Sequence, residues 1–142
     1  MYSKPVLGLA EAQSAVNAML DEASKQPDHP VTIAIVDDAG DLISFARMDG
    51  CGALVQRLTT KKAYTMAMFG RGSKDLFEFM KVSGRTLWDY ADPNVTAAPS
   101  GAAILRPSDG AILGAMAVSG IGEKANEELC RIGLDAMHLE QE

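Results

Sequence analysis

The stretch VTIAIVDDAGDLISFARMDG, residues 31–50, decides the fold of this chain. Residues 31–36 are largely β-branched and almost free of polar side chains, which is typical of a strand covered on both faces. The next four residues provide turn chemistry, because Gly40 can adopt a positive φ without steric cost. Residues 42–48 read as a second strand. The stretch therefore predicts a β-hairpin, whose two strands pair antiparallel.

The residues outside this hairpin predict four helices. Apolar residues recur at helical spacing in four segments, at about residues 9–25, 54–69, 74–81 and 123–139. Pro27 and Pro30 end the first segment, because proline cannot donate in a helix and disfavours a helical residue before it. Gly70 is expected to cap the end of the second helix, and Ser73 is a candidate N-cap of the third.

The irregular region at residues 84–102 separates these helices from a second hairpin. It contains the only tryptophan, Trp88, and a loop of this length in a compact domain is more often functional or oligomeric than decorative. Strands are expected at 103–106 and 111–119. Because both hairpins demand antiparallel pairing and the helices cover the sheet, the predicted class is α+β. The length suits a single domain over residues 1–142.

Composition and charge narrow the class of function. Apolar residues make up 47% of the chain, charged residues 23%, and the net charge is −6. Such an acidic chain lacks the basic footprint of a nucleic-acid binder and would be repelled by an anionic membrane. Its two cysteines lack metal-site spacing and are too few for a disulfide framework. Since no secretory signal or membrane-length apolar window is present, we expect a soluble cytoplasmic protein.

Three charged residues near the first strand–helix junction are candidates for catalysis. Arg47 and Asp49 are two positions apart, so in a strand both would point to the same face. Arg47 could hold a carboxylate with two hydrogen bonds, although a surface ion pair is equally consistent with the pattern. Lys62 lies in an otherwise apolar helix, where it either snorkels to solvent or acts as an anion-binding or acid–base group with a lowered pKa. Ser100-Gly101 and Ser119-Gly120 at strand edges could offer amides to an oxyanion.

Six sequence blocks stand in one order along nearly the whole chain. They are Ile35-Val36-Asp37 with Gly40 and Leu42; Ala46-Arg47-Met48-Asp49-Gly50; Lys62-Ala63-Tyr64-Thr65 with Phe69-Gly70; Asp109-Gly110 with Leu113-Gly114-Ala115; Val118-Ser119-Gly120; and Gly133-Leu134. In these blocks the chain resembles the GlcG/HbpS-like heme-binding family, formerly a domain of unknown function, which also includes the C-terminal domain of some corrinoid adenosyltransferases. The resemblance implies a profilin-like fold, with a five-stranded antiparallel sheet and helices on both faces. It also implies oligomers and a ligand site between helices and a glycine-rich loop.

The chain departs from the family's pattern at two places. Where members often carry a Gly-Gly-Gly-x-Pro loop, this chain has Ser100-Gly101-Ala102-Ala103-Ile104, which changes the backbone amides that can approach a ligand. Where members often have an aspartate early in the last helix, this chain has Asn126, which removes a charge that could act as acid, base or metal ligand. The candidate cofactor-binding residues are Tyr64, Met66, Ser100, Gly101 and Asn126. No metal-ligand cluster is readable.

Three functions remain open from the sequence. The first is binding of heme or a related tetrapyrrole, which rests mainly on the resemblance. His29 and His138 read as surface residues, which leaves the eight methionines and Tyr64 as candidate iron ligands. The second is proton-transfer catalysis of a tautomerase or isomerase type on an acidic catabolic intermediate, through the three charged residues named above. The third is a non-catalytic accessory protein that forms a homo-oligomer through the Trp88 loop and the methionine-rich helix.

Overall fold

The structure is a computed structural model that describes residues 1–98 and 100–139. Its elements, in chain order, are α1 (Leu9–Ala23), β1 (Thr32–Asp37), β2 (Leu42–Arg47), α2 (Ala53–Phe69), α3 (Ser73–Ser83), a 3₁₀ helix (Leu87–Tyr90), β3 (Gly101–Leu105), β4 (Ile112–Ser119) and α4 (Glu123–Ala136). Each predicted helix and strand is present, with small shifts at the ends. Over the described residues, no helix has the length and apolarity needed to cross a membrane.

The strands form one antiparallel sheet in the order β2-β1-β4-β3. This arrangement confirms the α+β class. The expected five strands are wrong, because the sheet has four strands within the described residues. The described residues between α3 and β3 form the 3₁₀ helix and turns, in which the carboxylates of Asp89 and Asp92 accept backbone N–H groups of Thr86 and Asn94. Such local hydrogen bonds compete with a strand ladder.

Helices cover both faces of the sheet, as the resemblance implies. Along β1, Ile33 and Ile35 pack with α1 and α4, whereas Ala34 and Val36 pack with α2 and α3. This alternation follows the two-residue period of a strand. On the second face the sheet presents small side chains, including Ala117. Small residues there let α2 lie close to the strands, and this close packing positions the polar groups described next.

Candidate functional site

A row of three polar residues crosses one end of the sheet. The strand register places Thr32 opposite Arg47 of β2 and opposite Ser119 of β4. Directly opposed residues of antiparallel strands point to the same face. That face is the one covered by α2, because Nη1 of Arg47 donates to Oε1 of Gln56 at 2.7 Å. We call Arg47, Thr32 and Ser119 the sheet-end row.

Asp49 does not join this row. Strand β2 ends at Arg47, and the chain then turns, with Gly50 at a φ of +91° and the N–H of Cys51 bonded to the carbonyl of Met48. The prediction that Arg47 and Asp49 share a strand face is therefore wrong. No ion pair within the described part of the chain joins the two residues, and Asp49 is exposed.

Lys62 approaches the same end of the sheet from α2. Its side chain is buried, with 6% exposure, and its Nζ donates a long 3.5 Å hydrogen bond to the carbonyl of Val118, the residue before Ser119. Burial lowers the pKa of Lys62, and the neighbouring Cys130 opposes this shift. Burial, with Glu127 adding to it, raises the pKa of the Cys130 thiol to about 12. Lys62 thus points into the protein rather than snorkelling to solvent.

Two hydroxyl groups of the row have unmet hydrogen-bonding capacity. Thr32 is 0% exposed and Ser119 is 4% exposed, and neither hydroxyl oxygen has a partner among the described residues. A buried polar atom without a partner costs about 1–3 kcal/mol. Sequence reasoning considered Ser119 only for its backbone and missed Thr32. The available signal was a hydroxyl residue within an otherwise apolar strand.

Gly101 and Met66 take part in core packing. The N–H of Gly101 donates to Oγ of Ser73 at 2.8 Å, so this amide is already occupied. A Cβ at Gly101 would lie 2.7 Å from Cγ of Met66, which is fully buried. Ser73 does not cap α3 as predicted. The N-cap is Gly72, and Ser73, the first residue of the helix, uses its hydroxyl to join α3 to β3.

Ser100 and Asn126 hold the start of α4. Ser100 is buried at a φ of +81°, and its hydroxyl donates to the carbonyl of Glu123 at 3.4 Å. The side-chain oxygen of Asn126 accepts the N–H of Ile121 at 3.3 Å. A neutral amide oxygen is sufficient to accept this N–H, so the position does not require a carboxylate.

Tyr64 belongs to a different region, near the loop between α3 and β3. Its hydroxyl donates to Oδ2 of Asp92 at 2.6 Å. This bond raises the pKa of Tyr64 and lowers that of Asp92. Gly40, with a φ of +83°, lies under the ring, and a Cβ there would be 2.4 Å from Cδ2 of Tyr64. The first hairpin turn therefore fixes where the phenol points.

Beside Tyr64 lies a cleft of about 430 Å³, which we call the aromatic cleft. It is lined by Met68, Phe69, Arg71, Phe79, Arg85, Tyr90, Asp92 and Val95. The rings of Phe69 and Tyr90 meet edge to face at 4.9 Å, and the guanidinium of Arg71 lies 4.5 Å above the ring of Phe79. The hydroxyl oxygen of Tyr90 is buried without a partner in the described structure.

A second cleft of about 610 Å³ adjoins the first and shares Asp92 and Val95 with it. It is mostly apolar and includes Trp88, whose side chain is 91% exposed. We call it the Trp88 cleft. Sequence reasoning singled out the region 84–102, which contains every lining residue of this cleft, but it did not connect that region with residues 68–79, which line the aromatic cleft.

The sequence of this chain matches a known protein family over most of its length. The family model described as "Haem degrading protein HbpS-like" matches residues 7–135. The chain belongs to this family. The protein GlcG of Escherichia coli K12 is 35% identical over 119 residues, which cover 84% of this chain and 85% of GlcG. The resemblance read from the sequence blocks is thereby confirmed.

Two solved structures of other proteins share the fold of this chain. The PduOC:heme complex superposes with a TM-score of 0.79 at 22% identity, covering 94% of this chain and 96% of PduOC. A double mutant of HbpS from Streptomyces reticuli gives a TM-score of 0.81 at 24% identity, covering 95% of this chain and 89% of that protein. At such identities the likeness establishes the fold alone.

Proposed function

We propose that this protein binds heme or a related tetrapyrrole in the aromatic cleft. The observation that carries the proposal is that one cleft combines aromatic rings, two guanidinium groups and a buried phenol oxygen that has no partner among the described residues. Heme is a flat apolar ring with two carboxylates at one edge. The rings of Phe69 and Phe79 offer apolar surface, and Arg71 and Arg85 suit carboxylates.

The family supports this proposal independently of the cleft. Its description names heme degradation, and the structurally similar PduOC was solved as a heme complex. Neither fact identifies a residue of this chain. The evidence for heme binding that is specific to this chain is therefore the set of residues that line the aromatic cleft.

The donor atoms of the cleft fit the group. Proteins hold heme iron with histidine, cysteine, methionine or tyrosine, and the cleft offers Tyr90 and Met68, with Tyr64 next to it through Asp92. Its size lies within the range of about 300–1,000 Å³ that is usual for small-molecule sites. A bound heme would supply an iron whose reactivity depends on its axial ligand and on pocket polarity. The chain's own contribution is to bind the ring, pair its carboxylates and direct a phenol toward the site.

A hemin titration followed by absorbance tests the proposal. We expect the Soret band to shift at micromolar hemin, and we expect Tyr90→Phe to change the position of that band because the phenol oxygen is removed. Tyr2→Phe, in the exposed N-terminal segment, is the matched control and should behave as wild type. A wild-type protein that leaves the hemin spectrum unchanged would overturn the proposal, and identical spectra for Tyr90→Phe would remove Tyr90 from it.

Proton-transfer catalysis is a second candidate, favoured by one observation. Lys62 is a buried amine whose pKa is lowered by burial, as a general base near neutral pH requires. Lys62 lines neither the aromatic cleft nor the Trp88 cleft, so a substrate would need the sheet end to open. Turnover of a carboxylate substrate that disappears in Lys62→Ala would support this function, whereas retained turnover would exclude Lys62 from it.

Assembly and location are further proposals. Exposed Trp88 and Val82 are the kind of apolar surface that subunit contacts cover, so we propose that the protein forms a homo-oligomer. We also propose that the protein is cytoplasmic. Light scattering tests the assembly, because a monomer at all concentrations would contradict it. Fractionation of cells that express the protein tests the location.

A further inference from the structure

We infer that the sheet-end row and Lys62 form a second ligand site, for the carboxylate of a small monocarboxylic acid. This site is separate from the aromatic cleft and does not depend on heme binding. It lies between the sheet and residues 56–62 of α2, where Arg47, Thr32, Ser119 and Lys62 converge.

The two hydroxyls supply the first argument. Thr32 and Ser119 are directly opposed on neighbouring strands, so their side chains project side by side toward α2. Both are more than nine-tenths buried, and both oxygens lack a partner in the described structure. Two adjacent unpaired hydroxyls in an otherwise apolar layer can donate to the two oxygens of one carboxylate.

The charges supply the second argument. Lys62 is buried, and within the described residues no carboxylate forms an ion pair with it. Its hydrogen bond to the Val118 carbonyl is long, at 3.5 Å. A buried charge normally has a partner of opposite sign. A monoanion would neutralise the single buried ammonium, whereas a dianion such as phosphate would bring an excess charge into a layer lined by alanines.

Arg47 supplies the third argument, because it provides access. The hydroxyls are closed from solvent, so a ligand reaches them only when a covering side chain moves. Arg47 is exposed at the edge strand and is bonded to the amide oxygen of Gln56. A carboxylate can replace that amide oxygen on the guanidinium, since charge-assisted bonds are stronger than neutral ones. The Arg47–Gln56 pair is therefore the gate of the site.

Thermal unfolding in different salts tests the inference. We expect sodium acetate to raise the Tm of the wild type by about 3–5 °C when its concentration is about ten times the Kd, relative to sodium chloride at equal ionic strength. Thr32→Val should raise the Tm in chloride and abolish the acetate-specific rise. Ser119→Ala should do the same at the other hydroxyl and serves as a second variant if the first fails to fold.

Thr59→Val is the matched control. Thr59 is also fully buried, but its hydroxyl is already bonded to the Val55 carbonyl at 2.7 Å, so its acetate response should equal that of the wild type. The same Tm measurement with inorganic phosphate in place of acetate tests whether the site prefers a monocarboxylate. Three results would each overturn the inference: a wild type that does not respond to acetate, a response that persists in either hydroxyl variant, or an equal response to phosphate. The outcome of the hemin titration has no bearing on any of them.

Discussion

The two candidate sites lie at opposite ends of α2 and are built in opposite ways. The sheet-end row is assembled by the register of three strands. Its two hydroxyl side chains, Thr32 and Ser119, are buried and have no hydrogen-bond partner among the described residues. The aromatic cleft is assembled by the end of α2, by α3 and by the loop before β3, and it is open to solvent. The contrast shows that strand pairing produces a small, closed polar site, whereas the irregular segment before β3 contributes to a larger and more apolar one. The predictions below separate the two regions.

Gly40→Ala should have the largest effect and should act on the cleft end alone. A side chain at a φ of +83° is strained, and its Cβ would lie 2.4 Å from the Tyr64 ring, so we expect a loss of about 2–4 kcal/mol in unfolding free energy. Urea denaturation measures this loss. Hemin binding should weaken in the folded fraction, while the acetate response should persist. Gly84→Ala is the control for φ strain alone, because no atom of the described residues lies within 4 Å of a Cβ at this position.

Removing both cleft guanidiniums should come next in size. The double variant Arg71→Gln, Arg85→Gln loses two charge-assisted bonds to the proposed carboxylates, and because both residues are exposed we expect the hemin Kd to rise by about tenfold, near 1.4 kcal/mol. Fluorescence quenching of Trp88, which lies beside the cleft, measures the Kd. Arg57→Gln changes an exposed arginine that lines neither cleft and should leave the Kd unchanged. An unaltered Kd in the double variant would show that the two arginines do not hold the ligand.

Thr32→Val and Thr65→Val should change stability in opposite directions. The Thr32 hydroxyl has no partner in the described part of the chain, so its replacement should stabilise the protein by about 1 kcal/mol. Thr65 is equally buried, but its hydroxyl donates to the Lys61 carbonyl and accepts the N–H of Thr96, so its replacement should cost about 1 kcal/mol. Urea denaturation without added carboxylate gives both values. A destabilised Thr32→Val would mean that its hydroxyl is already satisfied.

The pH dependence of stability gives the smallest expected effect. Burial lowers the pKa of Lys62 in the folded protein below the unfolded value of 10.5. Between these two pKa values the unfolded chain binds more protons, so the Lys62 contribution makes stability rise with pH. Lys62→Met lacks this contribution. The unfolding free energy of Lys62→Met minus that of the wild type should therefore decrease between pH 8 and pH 10, as the wild type becomes more stable. A difference that stays constant over this range would contradict a lowered pKa of Lys62.

Local patterns were sufficient for most of the fold. The β-branched run before Asp37, the glycine turn at Gly40 and the apolar periodicity of the helices depend on neighbouring residues, and the structure contains each of these elements. The family could also be identified from the sequence, because the match depends only on which residue types follow one another along the chain. Three predictions failed: the fifth strand, the Ser73 cap, and the shared strand face of Arg47 and Asp49. The last two failed because other hydrogen bonds formed, since Ser73 bonds to Gly101 of β3 and the chain turns between Met48 and Cys51.

The sequence by itself determined the helices, the two hairpins and the family, together with Arg47 and Lys62 as charged residues in unusual places. Only the tertiary structure decided what they face. The strand register set Thr32 and Ser119 between them, and the loop before β3 brought Tyr90 and Arg85 to the end of α2. The physical reason is that periodicity reports which side of an element is buried, whereas a site depends on which distant elements meet there.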